Sequence, residues 1–156
     1  MINLELRHRC FEFMTLGKIE YDPARKGMKA NTEHWAVINI DEGIGEYYRW
    51  QFFQQFKIQL EKPSWPIHSS VLKGYRDTDQ DKPWGYRDLE LVEMHYTHEL
   101  FWNEQHVWLN SHCDAYHDLR QYYNVSSAMD KGHITIGRFR QKDIGILERF
   151  GRYSQN

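Results

Sequence analysis

Hydrophobic and polar residues alternate in short stretches of the chain, and after two of these stretches the spacing changes to that of a helix. Residues 34–40 (HWAVINI) show strand-like alternation, and Asp41-Glu42-Gly43 then marks a turn. Over residues 44–57 hydrophobic side chains recur at every fourth position, which predicts an amphipathic helix. Its buried stripe is Ile44, Tyr48, Phe52 and Phe56.

The same succession occurs a second time. Residues 105–110 (QHVWLN) predict a strand, and a helix is expected to follow as far as about Tyr123. Ser111 lies three positions before Asp114, which resembles a capping box at the start of that helix. Its stripe is Ala115, Leu119 and Tyr122.

The rest of the chain predicts shorter elements. Residues 2–21 indicate a strand or hairpin with a turn at Gly17, and strands are expected at 89–96 and around 99–102. Loops are expected at 22–33 and 74–88, where Pro and Gly interrupt any periodicity, and a short helix at 141–150.

Each predicted helix is followed by a strand that carries a histidine and, two positions later, a hydroxyl residue. These pairs are His68 with Ser70 and His133 with Thr135. Alternation places each pair on one face of its strand, with hydrophobic neighbours on the other face of the second strand. His95 and Thr97 have the same spacing, and roughly 0.7 such pairs are expected by chance. The spacing of histidine and hydroxyl residue therefore does not by itself identify a site. Only the first two pairs lie on the strand that ends a β-α-β unit.

Length, charge and cysteine content restrict the class of protein. At 156 residues the chain is expected to form one domain. Its net charge of −2, with both signs interspersed, does not provide the basic field that binds long duplex nucleic acid. Two cysteines give no disulfide framework, and neither a signal-peptide core nor a membrane-length apolar run is present. These features predict a cytoplasmic protein without a membrane partner, which we expect to be a monomer.

The two histidine strands resemble the motifs of the two-histidine (2H) phosphoesterase superfamily, which includes the LigT-like cyclic phosphodiesterases and RNA ligases. His133-Ile134-Thr135-Ile136-Gly137-Arg138 is close to the second motif, and His68-Ser69-Ser70 is a plainer version of the first. The resemblance covers roughly residues 34–139. It implies an α+β fold in the single domain 1–156, with two pseudo-symmetric β-α-β-type lobes (about 34–73 and about 105–139) and central antiparallel sheets around a cleft.

The resemblance also implies roles for four residues. His68 and His133 would be the acid/base pair, and Ser70 and Thr135 would bind the substrate phosphate, with no metal and no cofactor. General chemistry agrees, because cleaving a phosphodiester needs a base for the nucleophile and an acid for the leaving oxygen.

Two cations follow the motifs at equal distance. Lys73 and Arg138 each lie five positions after the histidine and are possible substrate-binding residues. Strict alternation turns both side chains away from the motif face, so they reach it only if the strand bulges or ends there.

The expected substrate is a small nucleotide or short oligonucleotide. A 2′,3′-cyclic phosphate, a 2′-5′ oligonucleotide or a cyclic oligonucleotide signal would each suit one phosphate site, the last as in phage members of the family that dismantle bacterial immune signals. Tyr75, Trp84 and Tyr86, in the loop after the first motif, are possible base-stacking residues. Alternatively, these rings anchor the loop on the domain.

Other interpretations remain open at this point. A zinc site could be formed by His95, His98 and Glu99 or by His112, Cys113 and His117, although neither set has a recognised ligand spacing. Cys113 beside His112 could be a nucleophile. The functional alternatives to a phosphodiesterase are a nucleotide- or RNA-binding module with the same fold and an RNA end ligase.

Overall fold

The computed structural model describes residues 13–25, 35–73, 81–125 and 131–147, and the elements below lie within these ranges. In chain order they are β1 (Phe13–Tyr21), β2 (Ala36–Asn39), α1 (Glu42–Phe56), β3 (His68–Leu72), β4 (Leu91–Trp102), β5 (His106–His112), α2 (Asp114–Tyr122), β6 (Gly132–Arg138) and a 3-10 turn (Gln141–Asp143). None of the described helices has both the length and the apolar character needed to cross a lipid bilayer.

All six described strands belong to one antiparallel sheet, in the order β3-β2-β1-β4-β5-β6. The sheet is nearly closed, because its end strands β3 and β6 approach each other. Two backbone hydrogen bonds between Glu61 and Arg138 span the gap just before β3. The predicted α+β class is therefore confirmed. The expectation of separate central sheets was wrong, because β1 pairs with β4 and joins all strands into one sheet.

Each helix packs against the histidine strand of the other half of the chain. Helix α1 precedes β3 in the chain but packs against β6, whereas α2 precedes β6 and packs against β3. Tyr48 and Phe52 of α1 are buried as predicted, and so are Ala115 and Leu119 of α2. Each histidine strand thus rests on the helix of the other half of the chain.

Three local predictions are corrected by the structure. Gly17 lies inside β1 and not in a turn. A glycine is needed there because a Cβ would collide with the Ile38 side chain on β2. Ser111 belongs to β5, so it does not cap α2; the residue before that helix is Cys113, whose side chain makes no capping hydrogen bond. The two strands expected at 89–96 and 99–102 are one strand, β4, with an irregular register between Tyr96 and Leu100.

Candidate active site

The two end strands bring the histidine motifs together in a cleft. His68, Ser70, His133 and Thr135 line both of two adjoining concavities, with volumes of about 470 Å³ and about 290 Å³. The strands that carry them, β3 and β6, are the two end strands of the sheet. Near closure of the sheet, and not direct strand pairing, therefore makes the motif residues neighbours.

Each histidine strand contains a β-bulge directly after its hydroxyl residue. In β3 the register passes from Ser70 to Leu72, leaving Val71 without a partner on β2. In β6 it passes from Thr135 to Gly137, leaving Ile136 without a partner on β5. Two consecutive residues are buried at each bulge, so alternation resumes out of phase.

The bulges bring the two cations into the cleft. Lys73 and Arg138 both line the larger concavity, although strict alternation would have turned them away from it. Arg138 also donates from Nε to the Glu61 carboxylate at 3.1 Å, which fixes its direction at the cleft edge. Strand geometry thus places two cationic side chains beside the four motif residues, with the charge of Arg138 partly balanced by Glu61.

The His68 ring is held by a backbone hydrogen bond. Its Nδ1 lies 2.7 Å from the Pro66 carbonyl oxygen, which can only accept, so the proton is on Nδ1 and the Nε2 lone pair is free in the neutral ring. Burial lowers the pKa of His68, and Arg25 and Lys73 lower it further, although the Pro66 contact acts in the opposite direction. The ring is therefore prepared to accept a proton at Nε2.

A tryptophan orients the first motif. Trp35, which is only 5% exposed, donates from Nε1 to the Ser70 Oγ at 3.2 Å. Its ring also meets His68 edge to face, with centroids 5.9 Å apart. Because the Ser70 oxygen accepts from the indole, its hydroxyl proton can donate to a ligand oxygen in the cleft.

The second motif is held differently. The His133 ring stacks on Trp108, with centroids 5.1 Å apart and planes 29° from parallel, and makes no hydrogen bond with any described residue. Burial lowers the pKa of His133, with a smaller contribution from Lys131. The electron-rich face of Trp108 favours the charged imidazolium and so opposes this shift.

The cleft is basic although the whole chain is slightly acidic. Lys73 and Arg138 line the larger concavity and Lys131 the smaller one, and no carboxylate is among the described residues that line either. A third histidine, His106, also lines the larger concavity; burial and then Arg138 lower its pKa, so it adds little charge near neutral pH. The local field favours an anionic ligand.

Two of the three aromatic residues proposed from the sequence, Trp84 and Tyr86, do not line this cleft. Trp84 packs against Tyr21 and Tyr123 and donates from Nε1 to Asp22 Oδ2 at 2.6 Å. Tyr86 stacks on Tyr122 with centroids 3.9 Å apart. The two rings thus pack on the domain outside the concavities, and Tyr75 lies outside the described residues.

Neither alternative metal site is formed among the described residues. No three His, Cys, Asp or Glu side chains within those ranges are placed to hold a metal ion. His95 lies near Glu93 and His112 near Asp114, at 3.8 Å and 3.6 Å, as separate surface pairs. Cys113 is buried, and its burial raises the pKa of the thiol, which disfavours the reactive thiolate.

Several cleft residues were missed by the sequence interpretation. Trp35, Trp65, Asn103, His106 and Trp108 all line the larger concavity. The available signal was a tryptophan in each predicted strand that precedes a helix, since that strand is the expected neighbour of a histidine strand. The register needed to place those rings beside the histidines depends on the bulges, which the alternation does not reveal.

Comparisons of the chain with protein-family models, with curated proteins and with solved structures find no match.

Proposed function

We propose that this protein is a metal-independent phosphodiesterase of the two-histidine type, which cleaves one phosphodiester in a small nucleotide. The observation that carries the proposal is the convergence of His68, Ser70, His133 and Thr135 on one cleft from the two end strands of the sheet. An arrangement of two imidazoles and two hydroxyls around a basic cleft suits acid/base chemistry on a single phosphate.

His68 acts as the general base in this mechanism. Its Nδ1–H is bound to the Pro66 carbonyl, so Nε2 takes the proton from the attacking hydroxyl or water. The nucleophile oxygen then bonds to phosphorus while the bond from phosphorus to the leaving oxygen breaks. The lowered pKa of His68 keeps this ring neutral before attack.

His133 acts as the general acid and donates a proton to the leaving oxygen. The Trp108 face stabilises its imidazolium, and an anionic phosphate in the cleft further favours the protonated ring when substrate is bound. After cleavage the proton states of the two histidines are exchanged, and solvent restores them. No metal is needed for either proton transfer.

The hydroxyls and cations stabilise the charge that develops on phosphate. Ser70 donates its hydroxyl proton because its oxygen is already bound by Trp35, and Thr135 occupies the corresponding place after His133. Lys73 and Arg138 add positive charge at the cleft wall. Removing one such donor from a comparable site costs about 10²–10³ in kcat.

The cleft dimensions favour a compact substrate. A volume of about 470 Å³ lies in the range of small-ligand sites. Trp65 is partly exposed at the wall and packs against Trp35, so its ring can stack on a nucleobase. A 2′,3′-cyclic phosphate, a 2′-5′-linked oligonucleotide and a cyclic oligonucleotide signal all match this combination of one phosphate site and one stacking ring.

The order of elements supports a two-lobed, pseudo-symmetric 2H fold. Each half of the described chain contains two strands, a helix and then the histidine strand. The bulge follows the hydroxyl residue at the same position in both motifs. Asn39 and Asn110 are also corresponding neighbours, because they are the register partners of His68 and His133.

The test is incubation with a panel of 2′,3′-cyclic nucleotides, 2′-5′ oligonucleotides and cyclic di- and trinucleotides, with products identified by mass. We expect cleavage of one diester in at least one compound, and undiminished turnover in EDTA. Loss of turnover with EDTA and its return with zinc or manganese would contradict the mechanism. Binding without cleavage, or joining of RNA ends, would assign the cleft to a binding module or a ligase instead.

A further inference from the structure

A buried arginine on each helix binds the bulge of a histidine strand. Arg49 of α1 is 9% exposed and donates from Nη1 to the Ile136 carbonyl oxygen at 2.7 Å. Arg120 of α2 is 8% exposed and donates from Nη1 to the Val71 carbonyl oxygen at 3.0 Å. Ile136 and Val71 are the residues that the bulges leave without a register partner.

These contacts cross between the two halves of the chain. Arg49 lies in the half that contains His68, yet it holds the strand of His133. Arg120 lies in the half that contains His133, yet it holds the strand of His68. The exchange follows from the packing of each helix against the opposite end strand.

Burying a guanidinium is costly, so its position calls for a physical reason. Burial lowers the pKa of Arg49, while the nearby carboxylates Glu46 and Glu42 act in the opposite direction. The helix also provides space for this side chain, because a Cβ at Gly45 would lie 2.8 Å from Arg49 Nη1 and 2.8 Å from Ile67 Cδ1. The missing side chain at Gly45 thus leaves space for the arginine.

Each arginine provides a donor for the carbonyl of a bulged residue. A bulge takes a backbone carbonyl out of the regular ladder, and a buried carbonyl without a partner is unfavourable. If a bulge relaxed into a regular strand, the residues beyond it would change face. Lys73 or Arg138 would then leave the cleft. The histidine and the hydroxyl residue that precede the bulge would be displaced within the cleft.

The end strands also lack a continuous ladder that could set their separation, since β3 and β6 are the two ends of the sheet order. Tyr116 of α2 provides one further side-chain tie, through its hydroxyl to Ser69 on β3 and to Ser111 on β5. Side-chain contacts from the helices therefore contribute directly to the alignment of the two motifs.

We propose that Arg49 and Arg120 are crossed positioning residues, each of which holds the bulge and thereby the histidine and cation of the other half. This inference rests on the proposed function for its kinetic consequence. Neither arginine touches the reacting atoms; each acts through the strand that carries a motif.

The experiment uses the full chain with ¹⁵N-labelled histidine and follows ring signals and titration by NMR in Arg49→Met and Arg120→Met. We expect Arg49→Met to shift the signals and titration midpoint of His133 and to leave those of His68, and Arg120→Met to do the reverse. Arg49→Lys and Arg120→Lys keep a donor for the same carbonyl, so their shifts should follow the same crossed pattern with smaller size. If a Met variant does not fold, its Lys variant supplies the comparison.

Arg87→Met is the matched control. Arg87 is a partly buried arginine that binds Glu90 and Asp118 and touches neither histidine strand, so its loss should leave both rings unchanged. Equal shifts of both histidines in each variant, shifts at the histidine of the same half, or no shift at all would overturn the inference.

Kinetics separate this inference from the proposed function. With a substrate found in the nucleotide panel, each Met variant should lower kcat by about 10-fold to 100-fold with little change in KM, because misplacement of catalytic groups by about 1 Å has effects of that size. A crossed NMR pattern in a protein that cleaves no nucleotide would overturn the proposed function alone. Cleavage with an uncrossed pattern would overturn the positioning role alone.

Discussion

The two sides of the cleft hold their histidines by different means. His68 is fixed by a hydrogen bond to the Pro66 carbonyl and meets the edge of Trp35. His133 has no hydrogen bond within the described part of the chain and instead lies on the face of Trp108. The strands and bulges correspond, so the difference lies in side-chain surroundings and not in backbone position.

In the proposed mechanism, this difference suits one histidine to act as base and the other to act as acid. A hydrogen bond at Nδ1 fixes the tautomer and leaves Nε2 ready to accept a proton, as a base requires. An aromatic face stabilises the positively charged ring that a general acid requires, and it does not fix which nitrogen donates. The tryptophans differ accordingly: the Trp35 N–H binds Ser70, whereas the Trp108 N–H is buried without a partner among the described residues.

Among the changes that test this comparison, removing either histidine should lower kcat the most. His68→Ala and His133→Ala should each lower kcat by about 10²–10⁴-fold, the usual contribution of a general acid or base. His95→Ala is the matched control, since His95 has the same spacing to a threonine but does not line the cleft. Steady-state kinetics on the cleaved nucleotide provide the measurement. A loss in the control as large as in the cleft variants would remove the distinction between the motifs.

Exchanging the two tryptophans for phenylalanine should give a smaller and unequal effect. Trp35→Phe removes the N–H that orients Ser70, and a hydrogen bond of about 0.5–1.5 kcal/mol corresponds to a decrease in kcat of up to about tenfold. Trp108→Phe keeps an aromatic face under His133 and removes an N–H that has no described acceptor, so kcat should change less. A larger decrease in kcat for Trp108→Phe than for Trp35→Phe would show that the indole N–H matters more beside His133 than beside Ser70, and would contradict this comparison.

The pH profile should show the smallest effect, a displacement of the optimum. Burial lowers the pKa of both His68 and His133 below the ordinary value of 6.5, so kcat/KM of the free protein should be bell-shaped with its maximum below pH 6.5. Activity falls at higher pH as the acid loses its proton, and at lower pH as the base gains one. A maximum above pH 6.5 in the pH profile of kcat/KM would contradict the lowering of the two histidine pKa values by burial.

Much of the fold could be predicted because it depends on local periodicity. The four-residue spacing predicted a helix over 44–57, within two residues of the bounds of α1, and alternation predicted a strand at His133, where β6 lies. The joining of all strands into one sheet could not be predicted, because it depends on the long-range pairing of β1 with β4. Periodicity reports which face of an element is buried and gives no information about its neighbour.

The candidate site was predicted only where it follows strand alternation. His68 and Ser70, like His133 and Thr135, are two positions apart and so share a face whatever the tertiary structure. Lys73 and Arg138 reach the cleft through bulges, whose carbonyl oxygens accept hydrogen bonds from Arg120 and Arg49 on distant helices. The rings of Trp84 and Tyr86 lie in a loop but pack against residues of β1 and against the last residue of α2 and the residue after it, which loop composition does not indicate.

The most direct test of paired-histidine catalysis compares an oxygen and a sulfur leaving group. In the cleaved nucleotide, the leaving oxygen is replaced by sulfur, which departs as a thiolate and needs no protonation because thiols are far more acidic than alcohols. With this substrate, the rate of His133→Ala should return close to that of the unmodified protein, whereas His68→Ala should remain slow. Equal slowness of both variants, or recovery of His68→Ala instead, would contradict the assignment of His68 as base and His133 as acid.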